Sequence, residues 1–134
     1  MSHPVGLPDL FLDRSLGGKK VPTILRAAGL HLETLSEHYG IPADESVPDQ
    51  VWLEYAGRAG LVVFMKDANI RRNEAERLVV ETFEVRCFCI GSQSITAEKM
   101  ADRYLTNLDA IVRACAAPGP FIFTVHENRI ERLL

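Results

Sequence analysis

Three aspartates, far apart in the chain, stand where a fold could gather them. Asp13 ends the apolar run DLFLD, Asp49 opens the segment PDQVWLEYAG, and Asp67 follows the run LVVFMK. Oxygen donors without Cys or His beside them suit a hard cation. Magnesium in particular takes one or two carboxylates together with waters and substrate phosphate. Carboxylates held close also hinder one another's ionisation unless a cation compensates. Each acid has a plainer role as well. Asp13 could close the following turn, Asp49 could start a helix favoured by the dipole, and Asp67 could cap the helix after it. Their shared position near strand ends is what favours a site. Asp44 and Glu45, in the loop before Asp49, could add a ligand, although a solvated charge pair is the simpler reading. Glu54 lies five residues beyond Asp49, off its helix face, and reads as surface.

The cations divide in the same way. Arg71 and Arg72 sit near the start of a predicted helix, where the dipole disfavours positive charge. Local pairing with Glu74 and Glu76 is one account of them. Holding phosphates beside Asp67 is the other. The two stand level at Arg71, and pairing is favoured at Arg72. Arg14, Lys19, Lys20 and Lys66 could join such a phosphate-binding patch. Trp52 follows Asp49 by three residues, a spacing that suits core packing better than base stacking.

The elements that must position these residues alternate. Short apolar runs predict strands over 9–13, 30–35, 61–65, 83–90 and 120–125. Amphipathic spacing predicts helices over 20–28, from Pro48 to about Gly57, over 70–80, and from a Thr96 cap to Ala116. Pro22 falls in a first helical turn, and Gly29 suits a helix end. Residues 36–47 read as irregular, and a polar tail follows 125. The order βαβαβαβαβ predicts an α/β fold: a three-layer α/β/α sandwich with a central, mostly parallel five-stranded sheet in one domain, 1–134. In such sheets ligands bind beyond the carboxyl ends of the strands. Asp13 and Asp67 are expected there.

Composition limits the classes of function. The chain has 134 residues, 47% hydrophobic and 25% charged, which is ordinary for a globular domain and too apolar for a disordered one. Fifteen basic against 18 acidic residues give a net charge of −3, so bulk charge does not attract nucleic acid. No apolar run approaches the roughly 18 residues of a membrane span. The opening MSHPVGLPDLFLDR lacks a basic n-region and does not read as a signal peptide. Three cysteines without a C-x-x-C, and scattered histidines, give neither a disulfide framework nor a zinc motif. They fit reduced thiols in the cytoplasm.

The stretches FLDRSLGGKKVPTILRAAG and VPDQVWLEYAGRAGLVVFMKDANIRRNEAE, in that order, resemble the PIN-like domains, and among them the VapC-like toxins of toxin–antitoxin pairs. The motifs cover residues 9–80; residues 81–134 agree in their β-α-β order. The resemblance implies a metal-dependent endoribonuclease whose acids hold one or two Mg2+ or Mn2+ ions and which hydrolyses phosphodiesters. It implies Asp13, Asp49 and Asp67 as catalytic residues and metal ligands, with Arg14, Lys66 and Arg71 binding substrate phosphate. It further implies an RNA substrate, a cognate antitoxin protein, no membrane association, and compatibility with a homodimer. The family's further acid near the start of the fourth helix has no matched counterpart, although Glu98 and Asp102 lie there. A response-regulator receiver is disfavoured because Arg14-Ser15 follows Asp13 and the last strand ends PFIFTVHEN without a lysine. A haloacid-dehalogenase-type phosphatase would need Asp-x-Asp at the first strand. The serious alternative is a catalytically inactive PIN-like protein-interaction module.

Overall fold

The structure, a computed structural model, describes residues 2–66, 69–91 and 94–134. Continuous apolar runs make the central strands, because a strand covered on both faces has no polar side. These are β1 (Leu10–Leu12), β3 (Val62–Met65) and β4 (Arg86–Cys89), joined by β5 (Phe121–Val125). A short β2 (Leu32–Thr34) flanks β1. The order across the sheet is β2-β1-β3-β4-β5-β6, parallel throughout except for the antiparallel β5–β6 pair.

The helices divide between the two faces. On one side α1 (Lys20–Ala27), α5 (Ala97–Thr106) and α6 (Leu108–Ala114) bury Val21, Leu25, Met100, Tyr104 and Ile111 against Leu10, Leu12, Phe64 and Phe88. On the other, α3 (Asp49–Ala59) and α4 (Glu74–Thr82) bury Trp52, Leu53, Ala56 and Val80 against Phe11, Val63, Met65 and Cys87. Alternate residues of each strand thus serve opposite layers, as the pleat requires. The three-layer α/β/α architecture is the one expected. All three cysteines are buried and none is disulfide-bonded, Cys87 and Cys89 in one layer and Cys115 in the other.

Four local expectations are corrected. The sheet has six strands among the described residues, not five: the polar tail turns back through His126, whose N–H donates to the Arg129 carbonyl, and pairs as β6 (Ile130–Arg132). Residues 35–39 form α2 (Leu35–Tyr39), started by a capping box in which Thr34 and Glu37 satisfy each other's backbone N–H. The fourth helix begins at Glu74 rather than residue 70, because Asn73 caps it by accepting from the Glu76 N–H; residues 69–71 are a 3-10 turn. The long helix after Thr96 breaks at Asn107. That side chain is buried and donates to the Arg103 and His126 carbonyls, so it serves the β5–β6 hairpin as well as the helix end.

Candidate active site

The topology sends the chain from β1 outward to β2 and then back across β1 to β3. The carboxyl ends of β1 and β3 therefore flank the crevice where an open α/β sheet binds ligands. Asp13 stands there, one residue beyond β1, with its N–H donated to the Phe64 carbonyl of β3 at 3.2 Å. It is only 6% exposed. Two bonds hold its carboxylate: the Arg14 N–H donates to Oδ1 at 2.7 Å, and the Ser15 hydroxyl donates to Oδ2 at 2.9 Å.

Burial pushes the Asp13 carboxyl above the usual carboxylate range, and the charge of Asp49 adds to the effect. The bonds from Ser15 and Arg14 pull the other way and lose. Asp49 is the first residue of α3, where the dipole favours an anion. Its Oδ1 accepts from the Trp52 indole N–H at 3.0 Å. Trp52 is itself fully buried and stacked on Phe11. The core thus aims this acid as well as supporting the helix.

A small cavity of about 120 Å3 opens beside Asp13, walled also by Arg14, Gly17, Gly18, Thr34, Ser36 and Asp44. Gly17 ends the 3-10 turn after Asp13 at φ +85°, a conformation that glycine adopts freely. Asp44 Oδ1 is buried and, among the described residues, has no hydrogen-bond partner. The Arg14 guanidinium donates from Nη2 to the carbonyls of Asp44 at 2.9 Å and Val47 at 2.7 Å, tying the loop before α3 to this wall.

The remaining expected site residues are placed unevenly. The Lys66 N–H donates to Ser15 Oγ at 2.9 Å, which links the end of β3 to the turn after Asp13. Arg71 ends the 3-10 turn before α4, and its charge is among those felt at Glu131 of β6. Asp67 lies outside the described residues. Three residues outside the expected set belong to this edge. Ser15 joins Asp13 to Lys66, and a hydroxyl two residues after a strand-end acid was the available signal. Asp44 was weighed as a further ligand with a solvated charge pair the simpler reading, and nothing in its spacing marks it as a cavity wall. Tyr104 was read as a core position of its helix. It is that, and its hydroxyl also reaches the carbonyls of Met65 and Phe88 at 3.0 and 2.9 Å.

Among the described residues, the one group of three metal-competent side chains with donor atoms within 4.8 Å of one another is His3, Asp9 and His31. It lies at the opposite edge of the sheet, away from Asp13.

The sequence model of a family described as PIN-like domain matches residues 8–92, a span that contains Asp13, Arg14, Asp44, Asp49 and Lys66. A protein of Mycobacterium tuberculosis (strain ATCC 25618 / H37Rv), provisionally named ribonuclease VapC45, is 48% identical over 128 residues. The alignment covers 96% of this chain and 93% of that protein. No solved structure matches the chain.

Proposed function

The chain belongs to the PIN-like domain family, and from that premise we propose that it is a metal-dependent endoribonuclease, the toxin of a toxin–antitoxin pair, working in the cytoplasm. The observation that carries the reading is Asp13: a buried carboxylate at the switch point of the sheet, fixed by two hydrogen bonds and close enough to Asp49 to feel its charge. The relative named as a ribonuclease matches nearly the whole chain and supports the same activity.

The donor set fits Mg2+ or Mn2+. Asp13 and Asp49 offer carboxylate oxygens, and the charge of Asp49 hinders the ionisation of Asp13. Asp44 Oδ1, buried on the wall of the cavity beside Asp13 with no hydrogen-bond partner among the described residues, is an oxygen that a cation would satisfy. Asp13 and Asp49 would hold the ion, with Asp67 as the third acid of the proposal. When bound, such an ion supplies Lewis acidity at the phosphodiester and a nucleophile near neutral pH.

The chain's own residues do the rest. Ser15 and the Arg14 N–H orient the Asp13 carboxylate, and Trp52 orients that of Asp49. Arg14, Lys66 and Arg71 carry the positive charge that meets RNA phosphates in an otherwise acidic protein. Blocking this acidic crevice is the route by which a cognate antitoxin protein would silence it.

The test is cleavage of a mixed pool of structured and single-stranded RNAs by the purified chain with magnesium, with manganese and with chelator. Asp13→Asn, Asp49→Asn and Asp67→Asn are run beside it. Metal-dependent cutting abolished by each substitution supports the assignment, and cutting that survives them all refutes it. Absence of both cutting and divalent-ion binding by calorimetry leaves the inactive interaction module.

A further inference from the structure

The amino end of the sheet carries a second group of polar side chains, beside an open cavity of about 920 Å3 whose walls include His3, Asp9, Arg26, His31 and Glu33. Strand pairing assembles it. Leu10 of β1 lies level with Leu32 of β2, and the Leu10 N–H donates to the His31 carbonyl at 3.0 Å. The residues one step earlier, Asp9 and His31, therefore stand side by side at the mouth. The segment before β1 then folds back and lays the His3 ring on that of His31, with centroids 4.6 Å apart and planes 3° from parallel. His3 Nε2 is 3.9 Å and His31 Nδ1 3.7 Å from the same Asp9 oxygen, Oδ1.

The ring of His3 is held at both nitrogens. Its Nε2–H donates to the Leu7 carbonyl at 2.7 Å, and its Nδ1 accepts from the His31 N–H at 2.9 Å. Its side chain is only 9% exposed, whereas those of Asp9 and His31 are 64% and 68% exposed. One anchored imidazole, one exposed imidazole and one exposed carboxylate make an N,N,O donor set. That set suits the zinc class of divalent ions and not magnesium, which prefers oxygen alone.

We infer that His3, Asp9 and His31 bind one divalent ion of the zinc class, at a site separate from the acidic crevice. A tetrahedral zinc ion with bonds near 2.1 Å holds its donors about 3.4 Å apart. The two separations from Asp9 Oδ1, 3.9 and 3.7 Å, need to shrink by about half an ångström or less, and all three donor atoms already lie within 4.8 Å of one another. His3 enters by exchanging the Leu7 carbonyl for the ion, its ring proton passing from Nε2 to Nδ1 and the ring tilting off the His31 N–H. Only an ion with strong affinity for imidazole drives that exchange, which sharpens the preference for zinc over magnesium. Once bound, the ion clips the segment before β1 to the start of β1 and to β2. The inference does not depend on the nuclease reading, because none of its residues belongs to the crevice at Asp13.

The experiment is calorimetric titration of the untagged chain with zinc, nickel and magnesium chlorides in turn, on the wild type and on Asp9→Asn, His31→Ala and Asp13→Asn. Beyond any ion held by the acidic crevice, one zinc ion per chain is expected that Asp13→Asn leaves in place and that Asp9→Asn and His31→Ala each weaken at least about tenfold. Zinc should also raise the Tm of the wild type and not of His31→Ala. Zinc affinity weaker than about 0.1 mM, or zinc isotherms that both Asp9→Asn and His31→Ala leave unchanged, overturn the site. Zinc binding lost in Asp13→Asn instead assigns the ion to the acidic crevice and overturns it equally. Asp9 and His31 are exposed, and circular dichroism of each variant establishes that it remains folded.

Discussion

Asp13→Asn separates charge from shape at the candidate site. Oδ1 accepts the Arg14 N–H and Oδ2 accepts the Ser15 hydroxyl. An asparagine keeps the first as it is. At the second, Ser15 can accept from the new amide, because its oxygen has two lone pairs and uses one for the Lys66 N–H. Hydrogen bonds to a charged group are worth about 1.5–3 kcal/mol against about 0.5–1.5 for neutral ones, so the loss of charge forfeits about 2 kcal/mol over the two bonds. Burial and the charge of Asp49 act against the carboxylate and outweigh its bonds, since the carboxyl sits above its usual range. With a raised folded pKa, the stabilisation from protonated Asp13 is complete below the ordinary aspartate pKa of about 4 and is lost as pH rises through the folded value. At neutral pH without metal the ionised side chain is therefore a net cost. Asn removes it.

In chelator at neutral pH the variant should melt at the same temperature as the wild type or up to about 6 °C higher, at about 3 °C per kcal/mol for a chain of this size. The advantage should vanish near pH 4, where the wild-type carboxyl is protonated. RNA cleavage with metal should fall at least about 100-fold, roughly 2.7 kcal/mol in the barrier. Differential scanning fluorimetry at the two pH values, beside a gel assay of cleavage, reads both. A Tm lowered by more than about 5 °C in chelator at neutral pH would refute the reasoning, because the charge would then be holding the fold together. Unchanged cleavage would remove Asp13 from the reaction.

Other perturbations test the supports. Tyr104→Phe deletes the donor to two buried carbonyls and should cost about 1–3 kcal/mol, read as a Tm lowered by about 3–10 °C. Gly57→Ala would place a Cβ 2.6 Å from the Phe83 carbonyl oxygen, where α3 meets the end of α4, and should cost about 1–3 kcal/mol by urea denaturation with the m-value unchanged. The Arg26 guanidinium, bonded to Glu37 at 2.7 Å, holds that carboxyl below its usual range. Its contribution is present above the ordinary glutamate pKa and lost as pH falls through the folded value, so Arg26→Ala should flatten the acid limb of the stability curve by no more than about 0.5 kcal/mol for so exposed a pair.

Much of the architecture was legible because apolar runs and amphipathic stretches alternate cleanly. The runs at 61–65 and 83–90 can only be central strands, and they recruit their helices by side-chain period alone. What escaped were elements defined by hydrogen bonds rather than hydropathy. The tail strand β6 carries Glu131 and Arg132, and it is made a strand by its partner β5. The break at Asn107 is made by one buried amide. The α2 turn is started by the Thr34–Glu37 box. At the site, Asp13 and Asp49 could be singled out because acids at a strand end and a helix start have few neighbours of their kind. The place of Asp44 on the cavity wall and the meeting of His3 with His31 could not, because each depends on which distant segment the fold lays beside it.

Tyr104 ties α5 to β3 and β4 close to Asp13. Tyr104 caps the Met65 and Phe88 carbonyls from beneath with one hydroxyl, while its ring stacks on Phe64 at 3.9 Å inside the α1–α5 layer. Asp13 is near enough that its charge is felt at the phenol, whose ionisation is suppressed by complete burial first of all. The phenol therefore stays neutral and keeps donating. Burial is what raises the Asp13 carboxyl, so the same packing that completes the core also gives the crevice its demand for a cation.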